Sequence, residues 1–167
     1  AICEQNPSLA YGINARAVSI ITENCRRQGR QLVHISTDHF FTGDRDHLHK
    51  ETSPVQLVNE YARSKYAGEC FAATDEGALI IRTNFTGWRQ NPRQITFIEW
   101  ATQAIKECVT VTGYSDFFTS TLDAYTCAEA ILDLLASEAK GLYNLGAADV
   151  VSKLHFLELL ADRMGEN

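Results

Sequence analysis

The chain has 167 residues, of which 45% are hydrophobic and 22% are charged, and its formal net charge is −6. This composition is typical of one globular core and excludes a disordered chain. The acidic balance disfavours a nucleic-acid-binding protein, because the only basic cluster is Arg26, Arg27 and Arg30.

No apolar run approaches the ~20 residues that span a bilayer, and the first residues lack a signal-peptide pattern. We therefore expect a cytoplasmic protein without a membrane partner. The five cysteines lack C-x-x-C spacing, which disfavours disulfides and zinc and predicts reduced, mostly buried thiols. Residues 44–51 contain two histidines among carboxylates and cations, but without a ligand pattern they predict a solvated loop, so we expect no metal.

The first half of the chain predicts two helices and two buried strands. Asn6 and Pro7 have the pattern of a helix start, and apolar residues at helical spacing continue to Gln28, before Gly29. Residues 31–36 form a short apolar run typical of a strand buried on both faces. A second helix is predicted over 59–74, followed by a second buried strand at 78–81.

The second half continues the alternation. Helices are predicted over 96–107, from Asp123 to about 137 and from Ser152 onwards, with strands at 109–112 and 141–145. Strands alternating with helices of this length predict an α/β fold with a mainly parallel sheet.

Two residues in the second helix suggest a proton-transfer site. Tyr61 and Lys65 are four apart, so on a helix they share one face. A nearby cation favours the phenolate form of a tyrosine, which would let Tyr61 give or take a proton at a carbonyl or alcohol. The hydroxyls of Ser36 and Thr37 follow the first strand, at the sheet edge where open α/β sheets bind ligands, and could hold the reacting oxygen.

These segments together resemble the extended short-chain dehydrogenases, a superfamily of NAD-dependent epimerases, dehydratases and reductases. Within it the chain looks closest to the dTDP-4-dehydrorhamnose reductase group. The resemblance covers nearly the whole chain and is carried by residues 32–43, 51–54, 59–69, 79–88 and 141–146. It implies a partial Rossmann-like, doubly wound parallel sheet with a small substrate-binding lobe. Residues 1–83 would be the C-terminal half of the dinucleotide-binding domain, and residues 84–167 would hold the lobe and returning strand-helix elements.

The resemblance also implies roles for individual residues. Tyr61 would be the general acid, Lys65 would bind the nicotinamide ribose of NADPH or NADH, and Thr37 with Ser36 would hydrogen-bond the reacting oxygen. Asn14 would support Lys65, although a polar residue on a helix flank is an equally good interpretation.

Further candidates would contact the ligands. Asn84 would approach the cofactor, and substrate contacts would come from Asp38, His39, Phe85 and Arg89. The alternative for Arg89 is a solvated loop residue, as for Arg93.

The glycine-rich turn that binds the pyrophosphate in this superfamily is missing. We interpret the chain as an internal or truncated piece of a reductase that acts on a 4-keto nucleotide sugar. The alternatives are a non-catalytic or regulatory module that cannot bind a dinucleotide and a nucleotide-sugar 4-epimerase. Dehydration is disfavoured, because dehydratases of the superfamily carry Glu where this chain has His39. An uncovered sheet edge would favour homo-oligomers.

Overall fold

The computed structural model describes residues 2–41 and 48–165. These residues form two compact units. Unit 1 comprises residues 2–41, 48–83 and 130–145, and unit 2 comprises residues 84–129 and 146–165.

Seven α-helices, one π-helical turn and seven strands are present in these residues. The helices are α1 (Ile2–Gln5), α2 (Pro7–Tyr11), the π turn (Gly12–Arg16), α3 (Ala17–Arg27), α4 (Glu60–Ala72), α5 (Phe97–Lys106), α6 (Ala124–Ala136) and α7 (Lys153–Met164). The strands are β1 (Val33–Ile35), β2 (Leu79–Thr83), β3 (Phe85–Thr86), β4 (Phe118–Thr119), β5 (Leu122–Asp123), β6 (Gly141–Leu145) and β7 (Val151–Ser152).

A parallel sheet in the order β1-β2-β6 is the centre of unit 1. Every residue of β2, the central strand, is buried. Val18 and Leu32 pack with Ala72 and Ile80 in a core that joins α3 and α4 to the sheet. The structure confirms the predicted α/β fold with parallel strands. β2 is buried on both faces as its apolar run indicated, whereas β1, predicted to be buried on both faces, is partly exposed at Val33 and Ile35.

The N-terminal helical region begins as predicted but buries a different face. The Asn6 side chain caps α2 by accepting from the Leu9 N–H at 3.1 Å, and Gly29 follows with a φ of +62°. Most of the large apolar residues at helical spacing in this region do not face the core, since they are 49–60% exposed: Leu9, Ile13, Ile20 and Ile21. The buried residues are smaller, which permits close packing between backbones: Ala10, Ala15, Val18 and Thr22.

Unit 2 is built from short strands and capped helices. β3 pairs with β5 in parallel, and β4 pairs with β7 antiparallel. Thr96 and Glu99 form a capping box at the start of α5, and Asp123 and Ser152 cap the first turns of α6 and α7. The predicted strand at 109–112 is wrong: β-branched residues favour a strand only where a partner is available, and this segment has none.

The sequence led us to expect no membrane-spanning helix and mostly buried, reduced cysteines. Among the helices in the described part of the chain, none has the length and apolar character needed to cross a bilayer. None of the five cysteines forms a disulfide, and Cys127 is buried as expected. Cys70 and Cys108 are exposed, which corrects the expectation that most thiols are buried.

One glycine sets the distance between α4 and the π turn. A Cβ added at Gly68 would lie 1.9 Å from the carbonyl oxygen and 3.1 Å from the carbonyl carbon of Asn14. These are backbone atoms, so a rotamer change cannot relieve the overlap. The close packing of α4 therefore requires glycine at this position.

We predict that Gly68→Ala destabilises the chain by about 1–3 kcal/mol, the usual cost of forcing extra atoms into a packed region. The matched control is Gly12→Ala, because Gly12 is also helical but has no atom within 4 Å of an added Cβ. This control should be neutral or stabilising by up to ~1 kcal/mol. Urea denaturation of both variants measures the difference, and equal stabilities would contradict the packing argument.

Candidate active site

The helix α4 carries the two residues that suggested proton transfer. Asn59 caps this helix by accepting from the Ala62 N–H at 2.8 Å, which fixes where α4 begins. The Tyr61 side chain is partly exposed. The Lys65 ammonium donates to the carbonyl oxygen of Ile35, the last residue of β1, at 2.6 Å. The helix thus presents both side chains at the carboxyl end of β1.

The charge on Lys65 is subject to two opposing effects. Burial lowers the pKa of Lys65 from its ordinary value, since a low-dielectric surrounding disfavours the ammonium. The carboxylate of Glu69, one helical turn further along α4, acts in the other direction and stabilises the ammonium. Because Glu69 stabilises its charge, the Lys65 ammonium can attract a polar ligand that binds beside α4.

The residues that follow β1 form the second wall of this site. Ser36 and Asp38 continue the pairing with β2 through backbone N–H groups that donate to Ile81 and Thr83. The Thr37 side chain is buried, and its oxygen accepts from the His39 backbone N–H at 3.2 Å. A hydroxyl that accepts one bond still has its own proton to donate, so Thr37 can stabilise a negatively charged oxygen.

Ser36 makes a different contact from the one expected. Its hydroxyl donates to Oε2 of Glu69 at 2.9 Å. The same carboxylate receives two bonds from Arg82 on β2, at 3.0 Å from Nε and 2.5 Å from the terminal nitrogen. All three residues are buried. Ser36 therefore joins a buried ion pair that links α4, β2 and the end of β1, and Thr37 is the better candidate donor to a substrate oxygen.

Aromatic rings and a backbone carbonyl complete the surroundings of Arg82. Its guanidinium carbon lies 5.3 Å from the ring centre of Phe40 and 5.5 Å from that of Phe41. It also donates weakly to the backbone oxygen of Glu51 at 3.4 Å. The Glu51 carboxylate accepts from the Asn144 N–H at 2.8 Å, and this bond lowers the pKa of Glu51. These contacts, together with Glu69, compensate the guanidinium for the water that it loses on burial.

His34 is the packed core histidine that its mid-strand position suggested. Its Nε2 is buried without a hydrogen-bond partner in the described structure, and burial lowers its pKa to about 4, with the Lys65 cation acting in the same direction. His34 is therefore neutral near pH 7 and adds no positive charge beneath the site.

Asn14 lies in the π turn and acts on α4 through Ser64. Its amide donates to the Ser64 hydroxyl at 3.0 Å, and that hydroxyl donates to the Tyr61 carbonyl oxygen at 3.0 Å. This chain of bonds connects the π turn to the first turn of α4. It also shows that the Asn14 side chain supports the helix that carries the candidate catalytic pair.

Asn84, Phe85 and Arg89 belong to unit 2, where they line one cavity of about 350 Å³. The Asn84 amide donates to the Thr119 hydroxyl at 2.9 Å. The other lining residues are Thr86, Gly87, Trp88, Thr96, Phe97, Thr121, Ala124, Lys153 and Phe156. Aromatic rings and two cations in one cavity of this size are typical of a site for an aromatic, anionic ligand.

Lys153 was missed by sequence reasoning. Its ammonium lies 4.5 Å from the ring centre of Phe97 and 5.7 Å from that of Phe117. Lys153 is the first residue of α7, where the helix dipole disfavours a cation. That local conflict is a signal that the lysine serves something other than helix stability.

The segment considered and rejected for metal lies partly outside the described residues: Asp44, Arg45, Asp46 and His47. In residues 2–41 and 48–165, no group of three or more His, Cys, Asp or Glu side chains is arranged to hold a metal ion.

Comparison with known proteins decides the family. Residues 1–167 match the family described as the RmlD substrate binding domain. The chain belongs to this family. The match confirms the resemblance to dTDP-4-dehydrorhamnose reductases that the sequence motifs indicated, and it covers the residues of both units.

Individual relatives agree with this assignment. The chain is 27% identical over 166 residues to the probable low-salt glycan biosynthesis reductase Agl14 of Haloferax volcanii, covering 98% of the chain and 55% of that protein. It is 29% identical to the dTDP-4-dehydrorhamnose reductase of Salmonella typhimurium, covering 95% and 54%. The chain therefore spans about half the length of these relatives.

A solved structure gives the same result. The dTDP-4-dehydrorhamnose reductase of Bacillus anthracis, crystallised in complex with NADP, superposes with a TM-score of 0.89 at 26% identity. The superposition covers 99% of this chain and 58% of that one. The Rossmann-like fold class expected from the sequence is thereby confirmed.

We predict that Glu69→Gln destabilises unit 1 by about 3–5 kcal/mol, because it leaves the buried Arg82 guanidinium without a counter-charge. Glu60→Gln is the matched control: it makes the same change on α4 in the exposed ion pair with Arg63, and such pairs contribute at most about 1 kcal/mol. Thermal and urea unfolding of both variants test this. Equal losses of stability in the two variants would contradict the claim that the buried pair of Glu69 and Arg82 stabilises unit 1 more than the exposed pair does.

Proposed function

We propose that this chain supplies the catalytic and substrate-binding part of an NAD(P)H-dependent reductase that acts on a 4-keto nucleotide sugar. The observation that carries the proposal is the arrangement of Tyr61, Lys65 and Thr37 around the carboxyl end of β1, in a chain that matches the RmlD substrate binding domain along its whole length. The bound cofactor would deliver a hydride to the ketone carbon.

Tyr61 is the proposed proton donor. Its hydroxyl has no protein hydrogen-bond partner within the described residues, and its side chain is accessible, so a substrate oxygen can reach it. Proton transfer from the phenol to the ketone oxygen would neutralise the alkoxide as the carbon is reduced. The Thr37 hydroxyl would donate to the same oxygen and stabilise its developing charge.

Lys65 and Tyr61 are the residues proposed to hold the nicotinamide ribose. An ammonium and a phenol on one helix face, beside the end of a parallel strand, provide a suitable donor set for ribose hydroxyls. Asn14 supports this face through Ser64, and Asn84 stays a candidate cofactor contact. The sequence contains no glycine-rich turn for the pyrophosphate, so these residues account for the nicotinamide end of the cofactor alone.

The cavity of unit 2 is proposed to bind the nucleotide diphosphate of the substrate. Phe85, Trp88 and Phe97 offer ring faces on which a base can stack. Arg89 and Lys153 offer cations to phosphate oxygens, and a guanidinium matches phosphate geometry with two parallel bonds. This arrangement favours a nucleotide-linked sugar over a free sugar.

A second candidate function is supported by the aromatic and cationic lining of the unit 2 cavity. It is a module that binds a nucleotide sugar in the unit 2 cavity without binding a dinucleotide. The two candidates differ in one measurable property, the affinity of the folded chain for NADPH or NADH.

We expect NADPH or NADH to bind the purified chain saturably and to raise its melting temperature, because a ligand that binds only the folded state stabilises it. Nicotinamide fluorescence and thermal unfolding should be followed in the same titration, with dTDP titrated separately. If the folded chain binds dTDP but neither NADPH nor NADH, the reductase proposal is rejected for this chain and the second candidate is favoured.

We predict that Tyr61→Phe lowers turnover of the keto-sugar nucleotide by on the order of 10²–10⁴-fold, the usual contribution of a positioned acid. Folding should be unaffected, since the accessible hydroxyl bonds to no protein group in residues 2–41 and 48–165. Tyr66→Phe is the matched control on the same helix, where the ring packs edge-on against Phe40. Near-normal turnover by Tyr61→Phe would contradict the proposed acid.

A further inference from the structure

Asn59 makes two hydrogen bonds that fix the orientation of its amide. Its Oδ1 accepts from the backbone N–H of Ala62 at 2.8 Å. A backbone N–H can only donate, so the atom that faces Ala62 must be the amide oxygen and not the amide nitrogen. The amide nitrogen of Asn59 is therefore the atom that faces His39.

This orientation determines the protonation of the His39 ring. Nδ2 of Asn59 lies 2.9 Å from Nε2 of His39. An amide nitrogen donates and does not accept, so Nε2 must be the acceptor and cannot carry a proton. A neutral imidazole has one protonated nitrogen, which here must be Nδ1. The helix cap therefore selects one tautomer of a histidine twenty residues earlier in the chain.

His39 lies beside the proposed acid. Its ring centre is 5.9 Å from that of Tyr61, with the planes inclined at 64°. Its backbone N–H donates to the Thr37 hydroxyl at 3.2 Å. Among the described residues, its titratable neighbours include Tyr61, which is in ring contact, and Asp38, which precedes it in the chain. His39 is only half-buried, and its Nδ1 has no acceptor among residues 2–41 and 48–165.

We propose that Asn59 is a positioning residue that holds His39 as a neutral imidazole and thereby presents its Nδ1–H to an oxygen of the bound sugar. The donor is uncharged, so it suits a hydroxyl or keto oxygen next to the oxygen that Tyr61 protonates. The sugar contact rests on the proposed reductase function. The selection of the tautomer does not, because it follows from bonds within the protein.

The tautomer can be measured without substrate. In the ¹⁵N-labelled chain, long-range ¹H–¹⁵N correlations should give His39 a protonated Nδ1 and an unprotonated Nε2, with the signals assigned by their loss in His39→Gln. A His39 ring protonated mainly on Nε2, or a tautomer mixture like that of an unconstrained histidine, would overturn the proposal.

The variant Asn59→Asp keeps the helix cap but reverses the bond to His39. Asp caps helices as well as Asn does, while its second oxygen can only accept. Nε2 should then carry the proton, so the long-range spectrum of His39 should change from a ring protonated on Nδ1 to a ring protonated on Nε2.

Asn6→Asp is the matched control, because Asn6 caps α2 through the Leu9 N–H and the substitution is identical. It should leave the His39 spectrum unchanged. A His39 ring that stays protonated on Nδ1 in Asn59→Asp would overturn the proposal. Either result is independent of turnover, so a failure here leaves the reductase proposal standing, and an inactive chain leaves the tautomer result standing.

Discussion

The buried ion pair between Glu69 and Arg82 is the interaction on which the geometry of unit 1 depends. Two charges removed from water stabilise a structure only when each finds its partner and its remaining hydrogen bonds. Glu69 satisfies this by accepting from Arg82 and from Ser36, which come from β2 and from the residue after β1. The pair thus specifies how α4 docks on the two strands.

Tyr61, Lys65 and Glu69 follow one another at four-residue spacing along α4. On a helix these positions form one row, so fixing Glu69 against the sheet also fixes the side of α4 that carries the other two. Lys65 reaches the end of β1, and Tyr61 remains accessible beyond it. The candidate catalytic residues are therefore positioned by a contact one and two turns away from them.

The fold alone does not choose the chemistry. Reductases, epimerases and dehydratases of this superfamily share the Rossmann-like architecture, and function is carried by the side chains placed on it. In this chain the residue after Asp38 is His39, whose ring contacts Tyr61 and whose tautomer is selected by the cap of α4. The hydrogen-bonding character of that position is a property of this sequence and not of the fold.

Much of the secondary structure was predictable from local signals. Asn59 and Thr96 cap their helices, and the strands near Leu79 and Leu142 lie where apolar runs indicated them, because cap chemistry and hydrophobic runs act over a few residues. The predictions that were wrong concern segments whose structure depends on a partner distant in sequence. The run at 109–112 has strand-forming residues but no partner strand.

For the candidate site, too, some features follow from the sequence and others only from the folded structure. The sequence by itself determined the family, the four-residue spacing of Tyr61 and Lys65, and the hydroxyls after the first strand, since these are properties of order along the chain. Only the tertiary structure decided that Ser36 binds Glu69, that Lys153 lines a cavity with Phe97, and that Asn59 meets His39. Each of these contacts joins residues far apart in sequence, and no local pattern encodes which polar groups must satisfy one another once water is excluded.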